Sequence, residues 1–278
     1  MSTKDSLGDR MKENYENRYR IYLTRRTPVI IRIDGKAFHS FTRGFAKPWD
    51  LVFKRTMWAT AKTLCENIMG CQLAYVQSDE ISLLLIDYKK LTTQAWFDYN
   101  LQKICSVAAS KATCYFNCFF VANSLKIKEH EVDQMLGIES KIGENVVDPD
   151  IYDSKYWSAL FDARAFNIPE SEVCNYFIWR QQDATRNSIE MLGRCYFSQK
   201  QLHKVNNSQI QEKLMTEKGI NWNDFPTFYK RGMCVKKKYY KELVVDGRPM
   251  WDYDFQIPIF TQDRAYIEDL LKPEADKE

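Results

Sequence analysis

Short strand patterns alternate with longer helical patterns from residue 28 to residue 192, and this order limits the fold more than any other feature. Strand patterns rich in β-branched or alternating apolar residues occur at 28–34, in two halves of 73–86, and at 161–168. Apolar residues recur at helical spacing at 50–69, 95–122 and 170–192. The turn dipeptide Asp34-Gly35 and the polar quartet Gln77–Glu80 end the first strand and divide 73–86 into a hairpin.

The resulting order, βαββαβ, is typical of the ferredoxin-like class of α+β folds. A chain of 278 residues is long enough for one large domain or two small ones. We therefore predict a core domain over residues 1–192, which includes an N-terminal arm. We predict an α-rich extension over residues 193–278 that packs as one unit with the core.

The charge and cysteine content restrict the classes of protein to consider. A net charge of +3 is too small to identify a nucleic-acid-binding protein by itself. No apolar run reaches the roughly 20 residues that span a bilayer, so no membrane association is predicted. The eight cysteines form no Cys-x-x-Cys pair, which favours reduced thiols in the cytoplasm. Seven basic and four acidic residues before Thr27 leave an organelle as the alternative compartment.

Two carboxylates are the candidates for a metal-binding catalytic site. Asp34 ends the first strand and Asp79 lies at the tip of the hairpin, and these strands are neighbours in a βαββαβ sheet. Paired oxygen ligands suit Mg²⁺, which keeps its other positions for water and substrate phosphates. The residues after Asp34, from Gly35 to His39, could offer backbone amides to a triphosphate.

Ordinary turn chemistry is the alternative interpretation of every one of these residues. Asp-Gly is a common turn dipeptide, and Ser78-Asp79-Glu80 is equally typical of a hairpin tip. Lys47 is a candidate phosphate ligand through its charge, and the alternative is a solvated surface lysine. For His39 taken alone, a structural role is the favoured interpretation.

Five segments resemble signature blocks of the tRNA(His) guanylyltransferase family, in the family's order and at similar spacing. They are Arg32–Phe41 (RIDGKAFHSF), Phe45–Pro48 (FAKP), Gln77–Glu80 (QSDE), Trp179–Asp183 (WRQQD) and Tyr229–Gly232 (YKRG). The resemblance covers about residues 27–240. It implies a fold similar to the polymerase palm and the addition of nucleotides to the 5′ end of RNA in the 3′–5′ direction.

The resemblance also implies roles for individual residues. Asp34, Asp79 and the Gly35 carbonyl would hold two Mg²⁺ ions, and Glu80 would be an accessory catalytic group. Nucleotide-binding residues would be Asp34, Gly35, Lys36, Ala37, Phe38, His39, Lys47, Ser78, Asp79 and Asn187. ATP would activate a 5′-monophosphorylated tRNA, and the 3′-hydroxyl of GTP or another nucleotide would then attack and release AMP. Family members are commonly tetramers, so a homo-oligomer is expected by analogy.

One block departs from the family pattern. Eukaryotic members carry His-Ile-Asn-Asn after the Trp-Arg-Gln-x-Asp block, whereas this chain has Thr185-Arg186-Asn187-Ser188. Thr185 replaces the histidine of the family pattern, whereas Asn187 matches an asparagine of that pattern. This difference favours the guanylyltransferase-like branch, which repairs 5′-truncated tRNA against a template, over strict tRNA(His) guanylylation.

Basic residues suggest where RNA would bind. Residues 229–241 carry six basic and no acidic side chains with interleaved tyrosines, a composition suited to phosphates and unpaired bases. The predicted RNA contacts are Lys230, Arg231, Lys236, Lys237 and Lys238, together with Arg180 on the polar face of the 170–192 helix. A solvated, lysine-protected edge strand and a solvated helix face are the alternatives.

The sequence therefore predicts a Mg²⁺-dependent nucleotidyltransferase that acts on tRNA with ATP and GTP as substrates. Two other functions use parts of the same pattern. A nucleotidyl cyclase on a palm scaffold would use the same carboxylates without RNA, and a non-catalytic RNA-binding module would not need them.

Overall fold

A six-stranded antiparallel sheet is the centre of the molecule. A computed structural model describes residues 6–126, 150–238 and 249–272. The strands are β1 (Val29–Gly35), β2 (Cys71–Gln77), β3 (Glu80–Leu85), β4 (Phe161–Asn167), β5 (Met233–Lys238) and β6 (Met250–Asp254). Their order across the sheet is β4-β1-β3-β2-β5-β6, and every pairing is antiparallel.

Helices cover both faces of this sheet. They are α1 (Ser6–Met11), α2 (Phe38–Phe41), α3 (Leu51–Asn67), α4 (Leu101–Lys126), α5 (Asp150–Asp153), α6 (Glu170–Tyr196), α7 (Asn207–Lys218), α8 (Thr227–Arg231) and α9 (Ala265–Glu268). Shorter helical turns occur at Lys12–Glu16, Asn17–Tyr19, Trp96–Tyr99, Trp222–Asp224 and Asp269–Leu271. The prediction of a mixed α+β fold is confirmed.

The alternation of side chains along β1 divides the core into two layers. Val29, Ile31 and Ile33 pack in the cluster that contains α3 and α4, whereas Ile30 packs in the cluster that contains Phe177 of α6. Because Arg32 and Asp34 have the parity of Ile30, both project on the α6 face. This parity decides which side of the sheet carries the polar residues at the end of β1.

Helix α4 belongs to the core. By length and composition alone, Leu101–Leu125 could cross a membrane, and the core helix of a soluble protein meets the same criterion. Ile104, Ala108, Ala112 and Phe116 are fully buried against the sheet and α3. These contacts account for the apolar residues on the buried face of the helix.

The predicted elements correspond closely to the observed ones between β1 and α6. The 95–122 helix begins later than expected, at Leu101, because left-handed Phe97 and Asp98 interrupt the backbone before it. The part of the chain after α6 was expected to be α-rich, but it also contributes two strands to the sheet. Strand β5 pairs with β2 and β6 pairs with β5, so the C-terminal part extends the same sheet.

Gly232 permits β5 to join the sheet. Its φ is +80°, and a Cβ at this position would lie 2.6 Å from the Val76 carbonyl oxygen. We expect Gly232→Ala to lower the free energy of unfolding by about 2 kcal/mol or more, because it adds backbone strain to a clash with main chain. Urea denaturation would measure this change. Gly219→Ala is the matched control, since Gly219 has φ +65° and nothing within 4 Å of its Cβ position. Equal losses in both variants would contradict the steric explanation.

Candidate active site

The end of β1 and the β2–β3 hairpin meet at one edge of the sheet. The Gly35 amide donates to the Asp79 carbonyl oxygen at 3.1 Å, and Asp34 lies opposite Glu80 in the β1–β3 ladder. Asp34 and Asp79, 45 positions apart in the sequence, are thus held next to each other by backbone contacts. Both carboxylates are half-buried.

The electrostatics of Asp79 reflect this crowding. Burial is the main cause that raises the pKa of Asp79, and the carboxylates of Asp34 and Glu80 raise it further. Its own backbone N–H and the Ser78 hydroxyl offset part of this rise in the pKa. A divalent cation between Asp34 and Asp79 would relieve their repulsion.

The donor set fits Mg²⁺ in one particular way. Within 6–126, 150–238 and 249–272, no three His, Cys, Asp or Glu side chains converge as metal ligands. Mg²⁺ is often held by one or two carboxylates, with waters and substrate phosphates in the other positions. Asp34, Asp79 and the Gly35 carbonyl match that pattern, so the triphosphate would complete the site.

The turn after β1 can hold phosphate through its backbone. The Gly35 amide donates to the Asp79 carbonyl, and the Lys36 amide donates to the Leu160 carbonyl. The amides of residues 37–39 donate to no acceptor in the described part of the chain. The turn is tight, since a Cβ on Gly35 would lie 2.4 Å from the Phe38 ring. These amides are therefore open to an anion beside Asp34.

The side chains of this turn divide into two groups. Lys36, Ala37 and His39 are exposed, whereas Phe38 is buried and packs against the rings of Phe41, Phe53, Phe116 and Phe161. Phe38 can contribute only its backbone to nucleotide binding. Its side chain anchors the turn to the core.

Glu80 is buried, with 4 % of its surface exposed, and is held by two arginines. Its carboxylate accepts from Arg180 Nε at 2.8 Å and Nη2 at 3.0 Å, and pairs with Arg32 Nη2 at 2.7 Å. The Ser82 hydroxyl adds a further hydrogen bond. These contacts occupy the lone pairs that an accessory catalytic group would need. The structure therefore makes Glu80 a residue that positions Arg32 and Arg180.

The expectation that Arg180 contacts RNA does not agree with its position. Arg180 is 4 % exposed, and its guanidinium also donates to Asp183 at 2.8 Å. The predicted polar face of α6 is buried at this point because it packs over the polar end of the hairpin. Asn187, two turns further along α6, is exposed and donates to Asp183 at 3.3 Å.

Lys47 and Ser78 are both exposed. Ser78 has a left-handed backbone at the hairpin tip, directly before Asp79. Lys47 lies near the end of α6, where its charge acts on Cys195, although burial raises the pKa of that thiol overall. Both roles in nucleotide binding stay predictions, and the geometry supports Ser78 more directly.

The basic stretch before residue 239 is largely neutralised by its neighbours. Lys236 pairs with Asp254 at 3.0 Å, and Lys238 pairs with Asp252 at 3.0 Å. Both aspartates lie on β6, which the antiparallel register places beside β5. This arrangement differs from the expected run of free cations, because the compensating acids come from a strand about 15 residues later.

Lys237 and Lys230, two of the other predicted RNA contacts, have local partners as well. Lys237 is exposed and lies 5.3 Å from the centre of the Trp251 ring. Lys230 donates to the Asn223 carbonyl, and the Arg231 carbonyl accepts from the Tyr75 hydroxyl. The side chain of Arg231 is half-buried. Tyr239, Tyr240 and Lys241 lie outside the described residues.

Lys54 lies at the candidate site, and the sequence did not predict it. It lies in the first turn of α3 and is half-buried beside Asp79. Burial lowers the pKa of Lys54 to about 8, and the Asp79 carboxylate opposes part of that change. An ammonium group at this point could neutralise phosphate oxygens. The sequence pattern of residues 50–69 did not indicate that Lys54 belongs to the site, because lysine is common on an amphipathic helix.

We expect Lys54→Met to stabilise the metal-free protein. The folded pKa of about 8 lies below the unfolded value near 10.4, so the cost of charging Lys54 is present at pH 7 and disappears as the pH rises towards about 10. The free energy of unfolding should rise by about 1–3 kcal/mol at pH 7 and by much less at pH 10. Urea denaturation at both pH values would measure this, with exposed Lys200→Met as the control. A loss of stability at pH 7 would contradict the prediction.

Comparisons with known proteins agree with this geometry. The profile of the family described as tRNAHis guanylyltransferase matches residues 8–169. A tRNA(His) guanylyltransferase of Saccharomyces cerevisiae is 28 % identical over 225 residues, which is 76 % of this chain and 82 % of the relative. Uncharacterized protein R259 of Acanthamoeba polyphaga mimivirus is 28 % identical over 251 residues, which is 85 % of this chain and 79 % of the relative.

Solved structures show a closer likeness. A bacterial tRNA(His) guanylyltransferase-like protein in complex with ATP has a TM-score of 0.79 and 46 % identity, and the match covers 97 % of this chain and all of that one. Such a bacterial protein in complex with GTP has a TM-score of 0.74 and 42 % identity, with 96 % and 99 % covered.

Proposed function

Because this chain belongs to the tRNA(His) guanylyltransferase family, whose members are nucleotidyltransferases, we propose that it is a Mg²⁺-dependent enzyme that adds nucleotides to the 5′ end of tRNA. The observation that carries the proposal is the meeting of Asp34 and Asp79 beside the open amides of residues 37–39. The ATP and GTP complexes of the bacterial relatives support both nucleotides as substrates.

The residues of the site would have different roles in binding the nucleotide and the metal. The amides of residues 37–39 would bind triphosphate oxygens, and Lys54 would add a positive charge next to Asp79. Asp34, Asp79 and the Gly35 carbonyl would hold Mg²⁺, which supplies charge neutralisation and activates an attacking hydroxyl. The Glu80–Arg180 pair connects the hairpin to α6 beside the two carboxylates.

Two chemical steps follow from this assignment. The 5′-phosphate of the RNA attacks the α-phosphorus of ATP, which forms a phosphoanhydride and releases pyrophosphate. The 3′-hydroxyl of the incoming nucleotide then attacks the activated 5′-phosphorus, loses its proton and displaces AMP. Both steps are in-line displacements on phosphorus, for which positioning and charge neutralisation supply most of the catalysis. The sheet at this edge would serve as a polymerase palm.

We propose template-directed repair as the main activity. Thr185 stands where eukaryotic relatives carry the histidine, and its hydroxyl donates to the Gln181 carbonyl within α6. Arg186 and Asn187 are both turned towards Asp183. The identity of 46 % with a guanylyltransferase-like protein supports the same branch.

We also propose a homo-oligomer acting in the cytoplasm. Trp157 is 66 % exposed and, with half-exposed Leu160, borders a groove of about 510 Å³ against α4. A second copy of the chain would bury these exposed apolar side chains, and this gain would favour an oligomer.

The decisive experiment supplies RNA and nucleotides separately. The chain is incubated with ATP, Mg²⁺ and each nucleoside triphosphate, using 5′-monophosphorylated full-length or 5′-truncated tRNA, and product length is determined at single-nucleotide resolution. Addition to truncated tRNA that follows the opposite template base supports repair. Tests with 5′-hydroxyl RNA and with nucleotide alone are the controls. No extension of any RNA, or a cyclic nucleotide formed without RNA, would overturn the proposal.

A further inference from the structure

Trp179 is the large aromatic side chain of α6 that the site described above does not use. Its surface is 51 % exposed, whereas Tyr176 and Phe177, in the preceding turn, are buried. The indole packs against Arg180 and Tyr176, and about half of its surface remains accessible to a ligand. An accessible ring of this kind can stack on a planar ligand.

Arginines link the Trp179 ring to the reacting centre. The Arg180 guanidinium carbon lies 4.3 Å from the ring centroid, and that of Arg32 lies 5.9 Å away. The same Arg32 brings its Nη2 to 3.9 Å from Asp34 Oδ2. One guanidinium thus lies between the indole and a candidate metal ligand.

The ring is held in place by its surroundings. Buried Glu80 fixes both arginines, and the Tyr176 ring contacts Trp179 in an edge-on arrangement at 5.9 Å. The Tyr176 hydroxyl is tied to the Ser82 hydroxyl at 2.8 Å. A ligand that stacks on Trp179 therefore meets an ordered surface and loses little affinity to side-chain ordering.

The arginines around the ring have acidic partners. Arg164 lies opposite Arg32 across the β1–β4 ladder and pairs with Asp162 at 3.3 Å, whereas Arg32 and Arg180 share Glu80. Stacking, rather than net charge, is therefore the contact that this surface offers to a base. Aromatic rings beside arginines bind unpaired bases by stacking, and this contact tolerates any base because each has a π face. Tolerance of all four bases is what template-directed addition requires.

We propose that Trp179 is a stacking platform for a nucleobase at the reacting end. This inference rests on the proposed function. The base belongs either to the incoming nucleoside triphosphate or to the 5′-terminal nucleotide of the RNA. The two sources present the same chemistry to the ring.

Fluorescence of 2-aminopurine tests the platform and distinguishes the sources, because stacking quenches it. One arm uses RNA with 2-aminopurine at its 5′-terminal nucleotide, and the other uses 2-aminopurine riboside triphosphate with Mg²⁺. We expect the wild-type chain to quench one probe. Trp179→Ala should remove that quenching and weaken binding of the same probe by roughly 5- to 150-fold, whereas Trp179→Phe should keep most of it.

Controls separate stacking from other roles. Tyr19→Ala removes an exposed aromatic ring that belongs neither to the candidate site nor to the groove beside α4, and it should leave the quenching unchanged. In nucleotide addition, Trp179→Ala should raise the KM of the stacked substrate equally for all four template bases. A chain that quenches a probe but adds no nucleotide overturns the proposed function and keeps the platform.

Two results would overturn the platform. One is quenching of neither probe by the wild-type chain, a measurement that does not depend on how any variant folds. The other is unchanged quenching in Trp179→Ala with an altered molecular mass by light scattering, which would assign Trp179 to an interface between copies of the chain.

Discussion

Asp34→Asn and Asp79→Asn are each expected to abolish nucleotide addition while the chain still folds. Each variant removes one of the two charges that would hold the cation in the proposed site, and several kcal/mol of transition-state stabilisation should be lost with it. We expect a fall in kcat/KM of at least about a thousandfold. Single-turnover extension of truncated tRNA would measure this. Asp98→Asn, an exposed carboxylate distant from the site, is the control.

The stability of the metal-free chain should change in the opposite direction for Asp79→Asn. Burial and the neighbouring carboxylates raise the pKa of Asp79 above its unfolded value, so its charge costs stability at pH 7, and this cost disappears as the pH falls below about 4. The variant should therefore have a higher Tm than the wild type in EDTA at pH 7. Mg²⁺ should raise the Tm of the wild type only. Near-normal activity in either aspartate variant would remove that carboxylate from the metal site.

Glu80→Gln is expected to destabilise the chain strongly. Glu80 is the shared countercharge of Arg32 and Arg180, and its removal leaves the buried Arg180 guanidinium with Asp183 as its remaining anionic partner. Breaking one partner of a buried ion pair costs about 3–5 kcal/mol. Urea denaturation would measure the loss. Arg180→Met should cost a similar amount, and the double variant should lose less than the sum, because both changes break the same contact.

The same variant distinguishes positioning from catalysis. If Glu80 only positions the arginines, the Mg²⁺ concentration that gives half-maximal activity stays unchanged in Glu80→Gln. A loss of stability under about 1 kcal/mol, together with a higher Mg²⁺ requirement, would instead make Glu80 a metal ligand.

The secondary structure around the site was predictable because its signals are local. Asp34-Gly35 and Gln77–Glu80 end strands in the sequence and in the structure alike. Helix α6 follows Pro169 as expected and extends to Tyr196. In such cases turn chemistry and apolar spacing act within a few residues, so tertiary contacts do not need to be known.

The roles of charged residues were less predictable because each depends on a distant partner. Arg180 resembles a solvent-facing cation on a polar helix face, yet it pairs with Glu80, 100 positions earlier. Lys236 and Lys238 resemble an RNA-binding run, yet their charges are paired with β6. Lys54 has no motif around it and gains its position beside Asp79 only when α3 packs on the sheet.

The sequence alone determined the order of strands and helices, the two candidate carboxylates and the family resemblance, because all three are written in local patterns and short motifs. Tertiary structure alone decided which cations are neutralised, that Glu80 is buried between two arginines, and that an exposed indole lies next to Arg32 beside Asp34. The physical reason is that burial and pairing of charge depend on the register between strands and on the packing of α6, which join residues far apart in the chain.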